Sequence, residues 1–260
     1  MAIKIVRRPS EDRNLMTRDW LKDFHAFPMN SYSDPGLGPL LVLNEARVAP
    51  NNGFGAHSHR EFEIFSYVVS GQLEHKDSMK NIEILKRGDI QLTSAGTGIT
   101  HAEGAYGSKE VHFLQIWSKP NVSRLRPRYF TRRFTEAEKR DTWARVVAPV
   151  DAEGVQKDER EGTGPTPVQS QLTLYSTLLT DGKSLKQRIE GSKGYIHLVQ
   201  SSGFNKKAAT GATIKLIGIP GVEAQLREGD GAYLHFNSGG GELIVENIGD
   251  RTAEILLFDV

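Results

Sequence analysis

Cysteine is absent from the 260 residues, and neither a long hydrophobic run nor a marked excess of charge is present. Without cysteine the chain can form no disulfide, thiolate zinc site, iron–sulfur cluster or cysteine nucleophile. A formal net charge of +1 gives no general electrostatic reason for binding nucleic acid or a membrane. No apolar stretch approaches the roughly 20 residues of a membrane-spanning helix, and residues 1–20 are too charged for a signal peptide. We therefore expect a cytoplasmic and/or nuclear protein without direct membrane or nucleic-acid contacts.

Short apolar, β-branched segments bounded by Gly, Pro, Asn or Asp recur along the whole chain. Examples are residues 64–69 and 111–117 in the first half and 172–179 and 254–258 in the second. Segments of this length and spacing are typical of the strands of sandwiches or barrels. The sequence therefore predicts an all-β fold.

One segment is typical of a helix instead. Thr135 and Glu138 have the spacing of a capping box, and a helix-compatible stretch continues to about Val146. Residues 151–164 are charged and glycine-rich, which indicates an exposed loop. The segment LKRGDIQL at 85–92 is similar to LREGDGAYL at 226–234, which favours a duplicated β unit. We therefore predict a first domain at residues 1–130, a helical linker and loop at 131–164, and a second domain at 165–260.

Two pairs of potential metal ligands stand at strand spacing, His57 with His59 and His101 with Glu103. Side chains two residues apart on a strand point to the same face. Two such strands facing one barrel interior would bring four ligands together. Three imidazoles and one carboxylate suit Fe(II), Mn, Ni, Cu or Zn better than Mg or Ca. The spacing alone leaves the carboxylate open, because Glu61 and Glu63 lie on the same nominal face as the first histidine pair.

The remaining polar features are predicted to be structural. His75, placed in a polar turn, and His112 are expected to be structural or solvent-facing. The second half has no His-x-His pair, so the second domain is predicted to lack metal ligands. The arginine-rich run at 124–133 is expected to be solvated or to bridge the domains, with a protein partner as the alternative.

The residues around the two ligand pairs resemble the two cupin motifs of the pirin family. GAHSHREFE at 55–63 with SYVVSG at 66–71 looks like the first motif, and GDIQLTSAGTGITHAE at 88–103 looks like the second. The resemblance is strong over about residues 17–120 and weaker beyond. It implies a bicupin, that is, two antiparallel jelly-roll β-barrels joined by a short helical linker. It also implies one divalent transition metal, Fe(II) before Mn, Ni, Cu or Zn, on His57, His59, His101 and Glu103. Glu63 would then orient a ligand without binding the metal.

Several pirin-like proteins show quercetin 2,3-dioxygenase activity, which opens the flavonol ring, inserts two oxygen atoms and releases carbon monoxide. The resemblance therefore implies a small chelating aromatic substrate and dioxygen, with Glu103 as the catalytic base for the 3-hydroxyl. Phe54, Phe62 and Phe65 would be candidates for an apolar wall beside a deep pocket. The alternatives are an iron-dependent, redox-sensing transcriptional cofactor without turnover, and a cupin with another substrate. We expect a monomer, because each barrel can pack against its twin.

Overall fold

The structure is a computed structural model that describes residues 3–27, 36–206, 211–219, 221–237 and 239–260. These ranges contain 22 strands, a 3-10 helix (Ser10–Asp12) and a short α-helix, α1 (Glu136–Lys139). The first twelve strands are β1 (Ile3–Arg8), β2 (Asn14–Arg18), β3 (Leu21–His25), β4 (Leu40–Val48), β5 (Gly53–His59), β6 (Glu63–Ser70), β7 (Gln72–Asp77), β8 (Ile82–Lys86), β9 (Asp89–Ser94), β10 (Ile99–Ala105), β11 (Val111–Ser118) and β12 (Arg128–Arg133). The remaining ten are β13 (Ala144–Pro149), β14 (Thr166–Val168), β15 (Thr173–Leu179), β16 (Ser184–Ile189), β17 (Lys193–Leu198), β18 (Thr213–Gly218), β19 (Val222–Arg227), β20 (Gly231–Phe236), β21 (Gly241–Asn247) and β22 (Ala253–Asp259). In the same ranges, no helix is long and apolar enough to cross a membrane.

The strands form two barrels, each built from a four-stranded and a seven-stranded sheet. In the first barrel the sheet orders are β5-β10-β7-β8 and β12-β9-β6-β11-β4-β3-β2. In the second they are β16-β21-β18-β19 and β1-β20-β17-β22-β15-β13-β14. The orders repeat with a constant offset of eleven strands along most of each sheet. This repetition confirms the predicted all-β bicupin fold and its duplicated unit.

The first strand belongs to the sheet of the second half. β1 pairs antiparallel with β20 along its whole length, from Ile3 opposite Phe236 to Arg8 opposite Gly231. In this position β1 covers an edge that would otherwise present unpaired backbone groups. β13, within the predicted linker, joins the same sheet through β15. The division into residues 1–130, 131–164 and 165–260 stays a prediction, and the strand pairing differs from it at these two strands.

The linker helix is shorter than the sequence indicates. Its capping box is confirmed, because the Glu138 backbone N–H donates to Thr135 Oγ1 and the Thr135 N–H donates to the Glu138 carboxylate. The expected continuation to Val146 is wrong. Asp141 adopts a positive φ of 52°, and the chain then enters β13, where Val146 is completely buried. Burial of this β-branched stretch between the barrels outweighs its local helix propensity.

Alternation along the strands divides the apolar side chains among three cores. On β6, Val68 packs inside the first barrel, whereas Phe65 and Val69 pack against residues of the second barrel such as Phe258. A third cluster fills the second barrel. The two seven-stranded sheets thus face each other across a shared core, and the four-stranded sheets lie on the outside. The predicted ligand pairs lie on β5 and β10, in the outer sheet of the first barrel.

Candidate metal centre

β5 and β10 are neighbours, so the two predicted ligand pairs lie on adjacent strands. His101 lies directly opposite His57, and a bulge then shifts the register so that Glu103 lies opposite Phe54. The strands approach so closely here that a Cβ on Gly53 would lie 2.4 Å from the Glu103 carbonyl oxygen. The bulge changes the alternation, so the His57 ring reaches the site while Phe54 packs against Trp20 in the barrel core. Bulges commonly re-aim side chains in this way beside functional sites.

Three imidazoles form a compact cluster. The ring centroids of His57, His59 and His101 lie 4.6 to 4.9 Å apart, and their ligand atoms lie within 4.8 Å of one another. Nε2 of His59 and both ring nitrogens of His101 are buried without a hydrogen-bond partner in the described part of the chain. Buried polar nitrogens of this kind normally have a partner. Their mutual orientation fits a bound cation, and the donor set fits a divalent transition metal.

Hydrogen bonding at His57 and burial at His59 and His101 favour metal binding by these rings. His57 Nδ1 lies 2.8 Å from the Gly55 carbonyl oxygen, which can only accept, so this nitrogen carries the proton and Nε2 is left as the ligand atom. Burial, together with the neighbouring rings, lowers the pKa of His59 to about 4. Burial also lowers the pKa of His101. Both rings are therefore neutral at pH 7, as a metal ligand must be.

Glu103 lies deeper in the barrel than the two histidines of β5. Its Oε1 accepts a hydrogen bond from Gln91 Nε2 at 2.9 Å, and its Oε2 accepts one from Gln115 Nε2 at 2.7 Å. Ser66 Oγ donates a further bond at 3.2 Å. Burial by itself would raise the pKa of Glu103, but its contacts with His75 and His101 and the hydrogen bond from Ser66 lower it. The side chain is therefore a fixed carboxylate.

His75 is a site residue that sequence reasoning missed. It does not lie in a turn but on β7, opposite Glu103, and it is completely buried. Its Nδ1 is 3.7 Å from Glu103 Oε1 and its Nε2 is 3.1 Å from Asp77 Oδ2. The ligand atoms of His75, His101 and Glu103 form a second set within 4.8 Å, which shares His101 with the three-histidine cluster. Alternation along the strand could have identified His75, because residues 73, 75 and 77 share one face and Leu73 faces the barrel core.

The two alternative carboxylates lie away from this cluster. β5 ends at His59, and Glu61 has a positive φ of 58°, so the alternation does not extend to it. The Glu61 carboxylate accepts the backbone N–H of Arg124. Glu63 is on β6, where it accepts hydrogen bonds from Ser94 Oγ and the Gln169 N–H. These contacts are on the side of the second barrel, so the expectation that Glu63 orients a metal ligand finds no contact to support it.

The cluster lies beside an open cleft of about 400 Å³. Its lining residues are mostly small or polar: Ser58, His59, Arg60, Ser78, Gly98, Ile99 and Thr100. Of the three phenylalanines proposed as an apolar wall, Phe62 packs on Trp117, whose ring in turn contacts His59. Phe54 and Phe65 belong to the first barrel core and the inter-barrel core. None of the three phenylalanines is among the described residues that line this cleft, because alternation directs most of these side chains elsewhere, and the expected deep apolar pocket stays a prediction.

In the second barrel, β16 and β21 occupy the places of β5 and β10. In this strand pair Arg188 lies opposite Glu242. These two residues occupy the positions that His57 and His101 occupy in the first barrel. Glu242 forms an ion pair with Lys186 at 2.6 Å. His197, on β17, faces the first barrel and lies 3.1 Å from Glu45 Oε2. That the second barrel lacks a metal stays a prediction.

The arginine-rich run is divided between internal and exposed roles. Arg132 is buried and donates to backbone carbonyl groups of residues 131, 156, 159 and 160. Arg133 pairs with Asp89 at 2.7 Å and Arg128 with Asp158 at 3.6 Å. Arg132 thus fixes the loop that follows the linker helix, whereas Arg124 and Arg126 are exposed.

The paired cupin barrels and the histidine–carboxylate cluster inside the first barrel define a metal-binding bicupin. The chain belongs to the pirin family: the Pirin family model matches residues 8–118. It is 31% identical to a quercetin 2,3-dioxygenase of Escherichia coli (strain K12), over 98% of both chains. It is 34% identical to a putative quercetin 2,3-dioxygenase of Zymomonas mobilis, over 76% of this chain and 82% of that protein. The crystal structure of the E. coli pirin YhhW in complex with nickel(II) superposes with a TM-score of 0.77 at 27% identity, covering 99% of each chain.

Proposed function

We propose that this protein is a metal-dependent dioxygenase of the quercetin 2,3-dioxygenase type, acting on a flavonol or a similar chelating aromatic. The observation that carries the proposal is the cluster of His57, His59 and His101, whose buried nitrogens find no hydrogen-bond partner among the residues described, beside an open cleft. Glu103 is the fourth ligand, adjacent to His101 in the second set of ligand atoms. Full-length similarity to proteins named quercetin 2,3-dioxygenase supports the same reaction class.

The three imidazoles and Glu103 would hold one divalent ion, with Fe(II) as the native metal and Mn, Ni, Cu or Zn as substitutes. A bound redox-active metal supplies a Lewis acid and a path for electrons between a chelating substrate and dioxygen. Glu103 is ionised, so it accepts the proton of the substrate hydroxyl at one carboxylate oxygen. Gln91 and Gln115 hold the carboxylate in place through its two oxygens. The Trp117 ring packs on His59 and limits its rotation.

The test combines metal analysis with turnover of quercetin on iron-, manganese-, nickel- and copper-loaded protein. Oxygen uptake with release of carbon monoxide is expected for at least one metal. Glu103→Gln should lose turnover and most of the metal, because it removes the charge from the ligand set. Glu63→Gln is the matched control, since within the described residues Glu63 bonds Ser94 and Gln169 and no candidate ligand, and it should keep nearly one ion per chain. If Glu63→Gln loses the metal and Glu103→Gln keeps it, the assignment of the fourth ligand is wrong.

Bound metal without turnover for any ion would contradict the dioxygenase and favour the redox-sensing cofactor. A protein partner at the exposed part of the arginine-rich run, a monomeric state and a cytoplasmic or nuclear location belong to this proposal as predictions. Size-exclusion chromatography with light scattering tests the monomer directly.

A further inference from the structure

Arg60 follows the last strand residue of β5 and lies between two clefts. One is the cleft of about 400 Å³ that His59 also lines. The other has a volume of about 430 Å³, and its remaining lining residues are Glu61, Thr97, Ser123 and Arg124. Because Arg60 lines both, the two clefts share a wall at this side chain. The second cleft therefore adjoins, at Arg60, the cleft that His59 lines.

The charge of this opening is positive. Glu61 is the one acidic residue among the described residues that line the two clefts, and its carboxylate accepts the Arg124 backbone N–H at 3.0 and 3.1 Å. Within the described ranges, no ion pair involves the side chains of Arg60 or Arg124, which are both exposed. By contrast, Arg128 and Arg133 in the same arginine-rich run have acidic partners. Among the described lining residues, two guanidinium groups thus face one carboxylate, and neither guanidinium is held in an ion pair.

The remaining lining is polar and contributes hydrogen bonds. Ser58 Oγ and Thr100 Oγ1 lie 2.7 Å apart on the rim next to His59. Ser78 lines the same cleft, and its Oγ accepts the Thr100 backbone N–H at 3.2 Å. Such a lining offers little apolar surface to a neutral flavonol, but it solvates an ionised substituent well. A planar guanidinium binds carboxylate or phenolate oxygens through paired N–H donors and also stacks on aromatic rings.

We propose that Arg60 and Arg124 bind an anionic substituent of the substrate, so that the substrate class is an aromatic with a chelating oxygen pair and an ionised group at its far end. The inference rests on the proposed function, because the chelating end is placed at the metal. Arg60 and Arg124 are specificity-determining residues and take no part in bond cleavage. Neutral flavonols bind the metal end alone.

The experiment compares two probes that differ in one charge, 3-hydroxyflavone and its 4′-carboxylate, on metal-loaded protein. Dissociation constants are measured anaerobically by quenching of tryptophan fluorescence, so that binding is read without turnover. The carboxylate should bind more tightly than the neutral probe to the wild type, and the difference should shrink as salt is raised. Arg60→Gln should weaken binding of the carboxylate by about five- to tenfold and leave the neutral probe within about twofold.

Arg124→Gln should likewise weaken binding of the carboxylate probe. Because Arg124 lies away from the ligand strand β5, this variant still tests the proposal if Arg60→Gln lowers the metal content. Arg60→Lys keeps the charge without the paired donors and should fall between the wild type and Arg60→Gln. Arg188→Gln, the same change at an exposed arginine that lines a separate cleft of the second barrel, should alter neither constant. Equal weakening of both probes by both arginine variants, or no preference for the carboxylate in the wild type, would overturn the proposal.

The same titration separates this inference from the dioxygenase. Charge-selective binding that depends on the two arginines, without oxygen uptake, would refute the dioxygenase and leave the recognition intact. Turnover of quercetin with no effect of either arginine on the carboxylate probe would refute the recognition alone.

Discussion

Replacing Glu45 should destabilise the protein more than any single surface change. Glu45 is 3% exposed, and its Oε2 lies 2.9 Å from Nη1 of Arg13, whose side chain is 1% exposed. Its carboxylate also accepts the Gln200 N–H at 2.7 Å and contacts the Nε2 atoms of His112 and His197 at 2.9 and 3.1 Å. One carboxylate thus joins β4 and β11 of the first barrel to β17 of the second.

Glu45→Gln keeps the shape of the side chain and removes its charge. Arg13 would then be a buried cation without a counter-charge, which costs about 3–5 kcal/mol. For a chain of this size, about 2–4 °C per kcal/mol gives a fall in Tm of roughly 6–20 °C. Glu110→Gln is the matched control, because its contact with Arg47 is 3.3 Å long and Glu110 is 40% exposed. We expect that control to change stability by less than about 1 kcal/mol.

The assay is urea unfolding followed by fluorescence and circular dichroism at several pH values. Although burial opposes ionisation, contacts with His112, His197 and Arg13 hold the pKa of Glu45 well below its usual 4.5. Its folded pKa is depressed, so the stabilisation is complete above pH 4.5 and is lost as the pH falls towards the folded value. The difference in the free energy of unfolding between wild type and Glu45→Gln should therefore become smaller in acid. A gap below about 1 kcal/mol at pH 7 would refute the reasoning, as would a double variant Arg13→Met/Glu45→Gln that is no more stable than Glu45→Gln alone.

Three further predictions concern the candidate metal centre. His101→Ala should reduce the metal content to a small fraction of one ion per chain by elemental analysis, because both sets of ligand atoms share His101; stoichiometric metal would contradict the site. Gly53→Ala should lower the free energy of unfolding by about 1–3 kcal/mol and weaken metal binding in calorimetry, because the new Cβ would lie 2.4 Å from the Glu103 carbonyl oxygen. Gly55→Ala is the control and should resemble the wild type, because a Cβ there would have no atom within 4 Å. The His59 ring should titrate near pH 4 by NMR in the metal-free protein. Because this folded pKa lies below the ordinary 6.5, the contribution of His59 to stability should be lost as the pH falls from 6.5 towards 4. A titration midpoint near 6.5 would show that the ring is not buried as described.

The sequence predicts the strands and the ligand pairs because both depend on local periodicity. Alternation with a period of two is a property of the extended backbone, so His57 with His59 and His101 with Glu103 had to share faces. Apolar β-branched segments bounded by turn residues became strands for the same reason. The capping box at Thr135 also formed as predicted, because its two hydrogen bonds lie within one helical turn.

Features that depend on contacts between distant segments were decided only by the tertiary structure. The helix after Thr135 ends early because residues 144–149 are buried between the barrels. β1 pairs with β20, although more than 200 residues separate them in the chain. His75 is buried because β7 lies beside β10, and its polar sequence neighbours gave the opposite indication.

The choice of the carboxylate ligand also depended partly on local sequence and partly on tertiary structure. Periodicity places Glu61, Glu63 and Glu103 on equivalent faces, and family resemblance favoured Glu103. In the structure, the positive φ of Glu61 ends the alternation, and the next strand turns Glu63 towards the second barrel. A local pattern specifies which face of a strand a side chain occupies, but the packing of sheets decides what that face meets.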